Sequence, residues 1–235
     1  MRGLFVTATD TGVGKTVVSA LLVARLRANG IPATYRKPLG CGGVRIGGRL
    51  VSDDAVFVRR AAGLDEPTNV LNPICLKTPA APTVAIRAER RRLTRTCVVA
   101  ACGAPPGMVS VVEGVGGLLV PIMPGYLVAD LASDLGLPVV IVARAALGTI
   151  NHTLLTLEAA RRRRLDVLGV VVNGMPKRPS RAEADAPREI AREGRVKILG
   201  VLPVLPLSVF RSPKALLQAT GRHLASTDLF VPENE

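Results

Sequence analysis

The order of apolar runs along the chain predicts an α/β fold, a doubly wound and mainly parallel sheet built as a single domain of 235 residues. Three observations carry this. Short runs rich in Val and Ile suit strands buried on both faces, and the stretches between them have helical spacing. Strand and helix alternate from end to end, the order that parallel crossovers require. The first run passes through a loop of small residues directly into a helix, with Gly14-Lys15-Thr16 at the junction.

That first element is read most closely. Leu4-Phe5-Val6-Thr7-Ala8 is a buried strand, and Thr9-Asp10-Thr11-Gly12-Val13-Gly14-Lys15-Thr16 follows as a phosphate cradle. In such a loop the N–H groups of Gly12, Val13 and Gly14 turn inward around a phosphate and the helix N-terminus adds partial positive charge. Lys15 then reaches the outer phosphates while the Thr16 hydroxyl faces Mg²⁺. The usual motif places Gly five positions before Gly14, where this chain has Thr9, so the loop reads as one residue longer. Its first small residue is then Ala8, a position where positive φ is disfavoured. The fold is accordingly of the P-loop nucleotide-binding type.

Further strands are predicted at residues 33–36, 108–113, 138–143, 168–173 and 197–202, with helices at 16–28, 53–62, 127–135, 151–163 and 181–193. Residues 213–224 read as a last helix within a C-terminal segment, 213–235, and the proline-containing tract 64–85 as irregular surface structure. In a parallel sheet, ligands gather at the carboxyl ends of the strands. Those ends carry Lys37-Pro38-Leu39-Gly40-Cys41 after the second strand, Glu113-Gly114-Val115-Gly116-Gly117 after the third and Asn173-Gly174 after the fifth.

Mg²⁺ between two nucleotide phosphates takes hard oxygen ligands, one or two carboxylates with a hydroxyl and waters. Thr16, Asp54 and Glu113 supply that set, with Asp53 as the alternative to Asp54. Glu113 closes an otherwise apolar strand on the side where phosphates belong. A lysine directly after a buried strand is costly unless an anion receives it, so Lys37 reads as a second cation at the phosphates.

Composition sets the remaining bounds. With 48% apolar residues the chain can bury a full core. No apolar run reaches membrane-spanning length, and the first strand begins too early for a signal peptide, so a cytoplasmic protein is expected. Cys41, Cys75, Cys97 and Cys102 form no CxxC pair and have no His partner at zinc spacing. The charge of +13 includes the runs Arg90-Arg91-Arg92 and Arg161 to Arg164, but aromatic content is 3%, which gives single strands little to stack on. Neither nucleic acid nor membrane is therefore an expected partner.

Taken together, Phe5 to Thr16, Lys37-Pro38, Asp54-Ala55, Asn72-Pro73, Pro79 to Pro82, Val112 to Gly117, Leu147-Gly148-Thr149-Ile150-Asn151-His152 and Asn173 resemble, in order and spacing, the dethiobiotin synthetases. The resemblance extends from residue 1 to about Pro203. It implies a homodimeric ATP- and Mg²⁺-dependent enzyme that joins 7,8-diaminopelargonate and CO₂ into dethiobiotin, through a carbamate and its mixed anhydride with phosphate. It places Thr11, Lys15 and Lys37 around the reacting groups and Thr16, Asp54 and Glu113 on the metal. Asn173 and the backbone at Pro203, Val204 and Leu205 would receive the adenine. Cys41 and Gly116 would meet the substrate, and Gly148, Thr149, Ile150 and Asn151 of a partner subunit its distant carboxylate, at a helix N-terminus.

The chain departs from the family pattern at Ala8, Cys41 and Thr83, where Gly, Ser and His are common. Two alternatives share the sheet. Partition and division-site ATPases carry an additional lysine early in the phosphate loop, where this chain has Thr9, Asp10 and Thr11. A degenerate synthetase would keep the loop and lose the turnover.

Overall fold

The computed structural model describes residues 2–221, 223 and 224. In chain order, β1 (Gly3–Ala8) leads into α1 (Lys15–Ala28) and β2 (Ala33–Arg36), followed by the short strands β3 (Leu39–Cys41), β4 (Val44–Ile46) and β5 (Arg49–Val51). Then come α2 (Asp53–Ala61), α3 (Thr68–Leu71), β6 (Ile74–Leu76), α4 (Pro82–Ala88) and α5 (Arg95–Ala100). The second half runs β7 (Val109–Glu113), β8 (Pro121–Met123), β9 (Tyr126–Leu127), α6 (Val128–Leu135), β10 (Val139–Arg144) and α7 (Thr149–Arg162). It closes with β11 (Val167–Met175), α8 (Arg181–Gly194), β12 (Ile198–Pro203) and α9 (Pro213–Thr220).

Six strands form one sheet in the order β12-β11-β10-β1-β7-β2, and every pairing in it is parallel. Period-two alternation explains how both faces are filled. Leu4, Val6 and Ala8 of β1 pack on one side with α1, α2 and α9, whereas Phe5 packs on the other with residues of α6, α7 and α8. The chain leaves β1 toward β2 on one side and later returns to place β10 on the other. The crevice above the carboxyl end of β1 is therefore the topological switch point, where open α/β sheets take their ligands.

All six predicted strands and the helices between them are present, with ends shifted by a residue or two. Two readings are corrected. The tract 64–85 is not irregular throughout, since it holds α3, β6 and the start of α4. Strand β6 pairs parallel with β3, with Gly40 opposite Cys75. Strands of three residues surrounded by prolines carry too little periodicity to be read in isolation. The predicted helix over 213–224 ends at Thr220, and residues 225–235 lie outside the described residues. The leucines of α7 divide: Leu157 is buried and Leu154 packs on the core, while Leu155 is 57% exposed.

Candidate active site

The phosphate loop is built on two left-handed glycines. Gly12 has φ 71° and Gly14 φ 101°, and a Cβ at Gly14 would stand 2.0 Å from Asn173 Nδ2. Backbone conformation and space both exclude a side chain there. Ala8 is fully buried at the end of β1, and the described non-glycine residues with positive φ are Arg90, Arg164 and Arg195, so alanine fits its place without strain. Gly14 caps the 14-residue helix α1, whose first turn has no acidic residue to offset its positive end. The Asn173 amide nitrogen donates to the Val13 carbonyl at 2.9 Å and so ties the end of β11 to the loop.

Glu113 is the anchor beside it. Pairing of β7 with β1 sets Glu113 level with Val6, and its carboxylate is 0% exposed. Oε1 accepts from Lys37 Nζ at 2.8 Å and from Thr16 Oγ1 at 3.0 Å, while Oε2 accepts from Tyr35 Oη at 2.9 Å. The Thr16 hydroxyl also lies 2.9 Å from Asp54 Oδ1. A hydroxyl has one proton and cannot donate to both acids, so three hard oxygens converge with more acceptors than donors, which suits a small divalent cation. Among the described residues no three of His, Cys, Asp and Glu cluster as a metal site, leaving two carboxylates and a hydroxyl as the fitting set. Asp54 makes these contacts, and Asp53 is exposed at the start of α2.

Lys37 bridges the two acids, ion-pairing with Asp54 Oδ2 as well as Glu113. Its backbone is held too: its N–H donates to Leu71 O at 2.7 Å, and Asn72 Nδ2 donates to its carbonyl at 2.6 Å. Burial opposes the Lys37 charge, yet Glu113 and Asp54 together hold its pKa above the ordinary lysine value. Asp54 answers in kind, because burial pushes its carboxyl up but Lys37 outweighs that and holds it low. Lys15 behaves differently. Burial lowers its pKa despite the attraction of Glu113, and its Nζ donates to the Asp10 carbonyl at 3.2 Å. Lys15 is thus a buried cation whose desolvation outweighs the attraction of Glu113, Asp54 and Asp10.

A cavity of about 680 Å³ brings Thr11, Gly12, Lys15, Lys37, Asp54 and Glu113 together. Gly14, Thr16, Cys41 and Gly116 also line it. Burial pushes the Cys41 thiol up to about 11, so it stays protonated and can only offer a weak hydrogen bond. Other predicted residues stand outside this cavity. Val13 is buried beneath the loop, and Val204, 62% exposed, spends its N–H on Met175 O at 2.9 Å, beside Pro203 and Leu205. Gly148, Thr149 and Ile150 line a separate cavity of about 140 Å³ with Arg181 and Asp185, next to the exposed Asn151. Within one chain these residues do not meet the phosphate loop.

Sequence reading missed Tyr35, whose hydroxyl holds Glu113, and Arg144, whose Nη2 donates to Thr11 O at 3.3 Å. An aromatic two residues before Lys37 in a chain with 2 tyrosines was the available signal for the first. The second depends on the β10–β1 pairing and had none.

A parallel sheet with this loop and oxygen set at its switch point defines a P-loop enzyme that acts with a nucleotide. Residues 2–212 match the family model described as an AAA domain. The ATP-dependent dethiobiotin synthetase BioD of Anaeromyxobacter dehalogenans strain 2CP-C is 44% identical over 218 residues, 92% of this chain and 96% of the relative. That of Methanococcus vannielii is 37% identical over 204 residues, 85% and 92% of the two chains. Among solved structures, a ParA family ATPase from Chlorobium tepidum TLS superposes with a TM-score of 0.51 at 12% identity, covering 93% of this chain and 90% of that one, which shows the fold alone. The chain belongs to the dethiobiotin synthetase family, ATP-dependent ligases of biotin biosynthesis.

Proposed function

We propose that this single domain closes the ureido ring of dethiobiotin from 7,8-diaminopelargonate, CO₂ and ATP, and that Mg²⁺ is held by Thr16, Asp54 and Glu113. The observation that carries the reading is the meeting of two cations, Lys15 and Lys37, with that oxygen set in one cavity. Bound Mg²⁺ would draw charge from the nucleotide phosphates. The chain's own residues do the rest. Lys15 and the N–H groups of Gly12 to Gly14 hold the phosphates, and Lys37 and Thr11 lie where a carbamate formed from one substrate amine would take the transferred phosphoryl group. The second amine then attacks the mixed anhydride and releases phosphate. Positioning and electrostatics dominate such transfers, so two preplaced cations are the main requirement.

Adenine is assigned to Asn173 and the backbone of Pro203 to Leu205; the supporting facts are the Asn173 hydrogen bond to the loop at Val13 and the pairing of Pro203 with Met175, two residues beyond Asn173. A two-subunit site is proposed because Gly148 to Asn151 lie at the start of a 14-residue helix yet outside the main cavity. The buried Thr149 hydroxyl has no hydrogen-bond partner among the described residues, and Leu119, Leu147 and Leu155 stay exposed. No helix among the described residues is long and apolar enough to cross a membrane, and a cytoplasmic location is part of this reading. The test is product formation: ADP release that requires both diamine and bicarbonate supports it, and release independent of either rejects it.

A further inference from the structure

At β2, the edge strand of the sheet, lies a further cavity of about 590 Å³ that shares no lining residue with the nucleotide cavity and is lined by Arg36, Arg91 and Arg92 together with Ile74, Cys97 and Gly103. Its lining contains no Asp or Glu. Arg36 is 4% exposed, and its contacts are with neutral oxygens. Nε donates to Gly103 O at 2.7 Å, and Nη1 donates to Thr34 Oγ1 at 2.9 Å and Tyr35 O at 2.8 Å. Glu66 attracts the Arg36 charge through space and accepts from the Thr34 hydroxyl, but no carboxylate among the described residues pairs directly with Arg36. Nη2, with no hydrogen bond to the described protein, is left for the cavity. A guanidinium this buried is ordinarily paired.

The rim completes the arrangement. Arg90 turns the chain with φ 52°, a left-handed conformation unusual for a residue with a side chain, and delivers the exposed Arg91 and Arg92 to the cavity. Neither has an ion-pair partner among the described residues; the neighbouring Glu89 attracts Arg91 through space while accepting from the Thr78 N–H at 2.7 Å. Three guanidinium groups around a concave, acid-free space match an oxyanion with several acceptor atoms, which arginine forks bind in pairs of hydrogen bonds. We propose that this cavity is a second anion site, distinct from the phosphate loop, that takes a small phosphate-type polyanion on Arg36, Arg91 and Arg92.

Inorganic pyrophosphate is the probe, titrated calorimetrically without Mg²⁺ into full-length Lys15→Met protein, in which the phosphate loop has lost its main cation. One equivalent per chain should bind, and adding Arg91→Ala and Arg92→Ala should weaken that binding about tenfold or more. Arg36→Met should abolish it. Should Arg36→Met fail to fold, as judged by circular dichroism, the two exposed rim substitutions decide alone. No uptake by Lys15→Met protein, equal affinity after the rim substitutions, or loss of all binding at about 0.15 M salt, the mark of diffuse attraction, would each overturn the proposal.

Discussion

Replacing Glu113 with Gln tests the charge arrangement at its centre. The amide keeps the shape of the side chain, and its oxygen can still accept from Lys37 while its nitrogen faces Tyr35 Oη, which can accept in turn. What disappears is the negative charge beside a lysine that is 5% exposed. Breaking a buried pair costs about 3–5 kcal/mol. Asp54 still pairs with Lys37, so the expected loss is near the lower end, about 3 kcal/mol, or roughly 6–12 °C in Tm for a chain of this size. Turnover should fall more steeply, on the order of 10²-fold or beyond, because even residues that only support metal ligands account for 10–100-fold. Circular dichroism melts and ADP release over an Mg²⁺ titration read the two effects separately. Wild-type turnover at an unchanged Mg²⁺ requirement would refute the assignment of this carboxylate.

Lys15→Met should abolish ATP binding while leaving the empty protein at least as stable, since burial lowers the pKa of Lys15 and marks its charge as costly; a Tm several degrees lower in a thermal melt would refute that. The Lys37–Asp54 pair predicts two pH limits. Asp54, depressed from 3.8, stabilises above its ordinary value and loses that as pH falls through its folded one, whereas Lys37, raised from 10.5, stabilises below its ordinary value and loses that as pH rises through its folded one. Lys37→Met should therefore begin acid unfolding at a higher pH than wild type, and an unchanged acid midpoint in a fluorescence-dye titration would count against the pair. Thr149→Trp should weaken diamine binding far more than ATP binding, and mixing it with Lys15→Met should restore part of the turnover through hybrid sites. An active enzyme that sediments strictly as a monomer would rule out the shared site.

The sheet was legible because its strands are buried on both faces and so appear as unbroken Val- and Ile-rich runs. That Lys15, Thr16 and Glu113 meet in one cavity was legible for a related reason: a polar residue at the end of such a run is costly unless it finds a partner there. The choice of Asp54 over Asp53 was not, because it depends on which face of α2 turns toward Thr16. Tyr35 escaped notice since an aromatic in a strand is ordinary core until its hydroxyl is seen on a carboxylate. Ala8 looked like a defect in the motif, yet it ends a strand with ordinary backbone, and the loop's left-handed turns fall at Gly12 and Gly14. The pairing of β3 with β6 joins segments more than thirty residues apart, and no local pattern announces it.

The central claim is that two lysines and an oxygen triad in one cavity couple ATP use to ring closure. It is tested most directly by following ADP release and dethiobiotin formation together in the purified protein, with diamine and bicarbonate supplied singly and jointly. The account predicts one ADP per dethiobiotin, and neither product unless both substrates and Mg²⁺ are present. ATP hydrolysis that proceeds without diamine and rises on adding duplex DNA would contradict it.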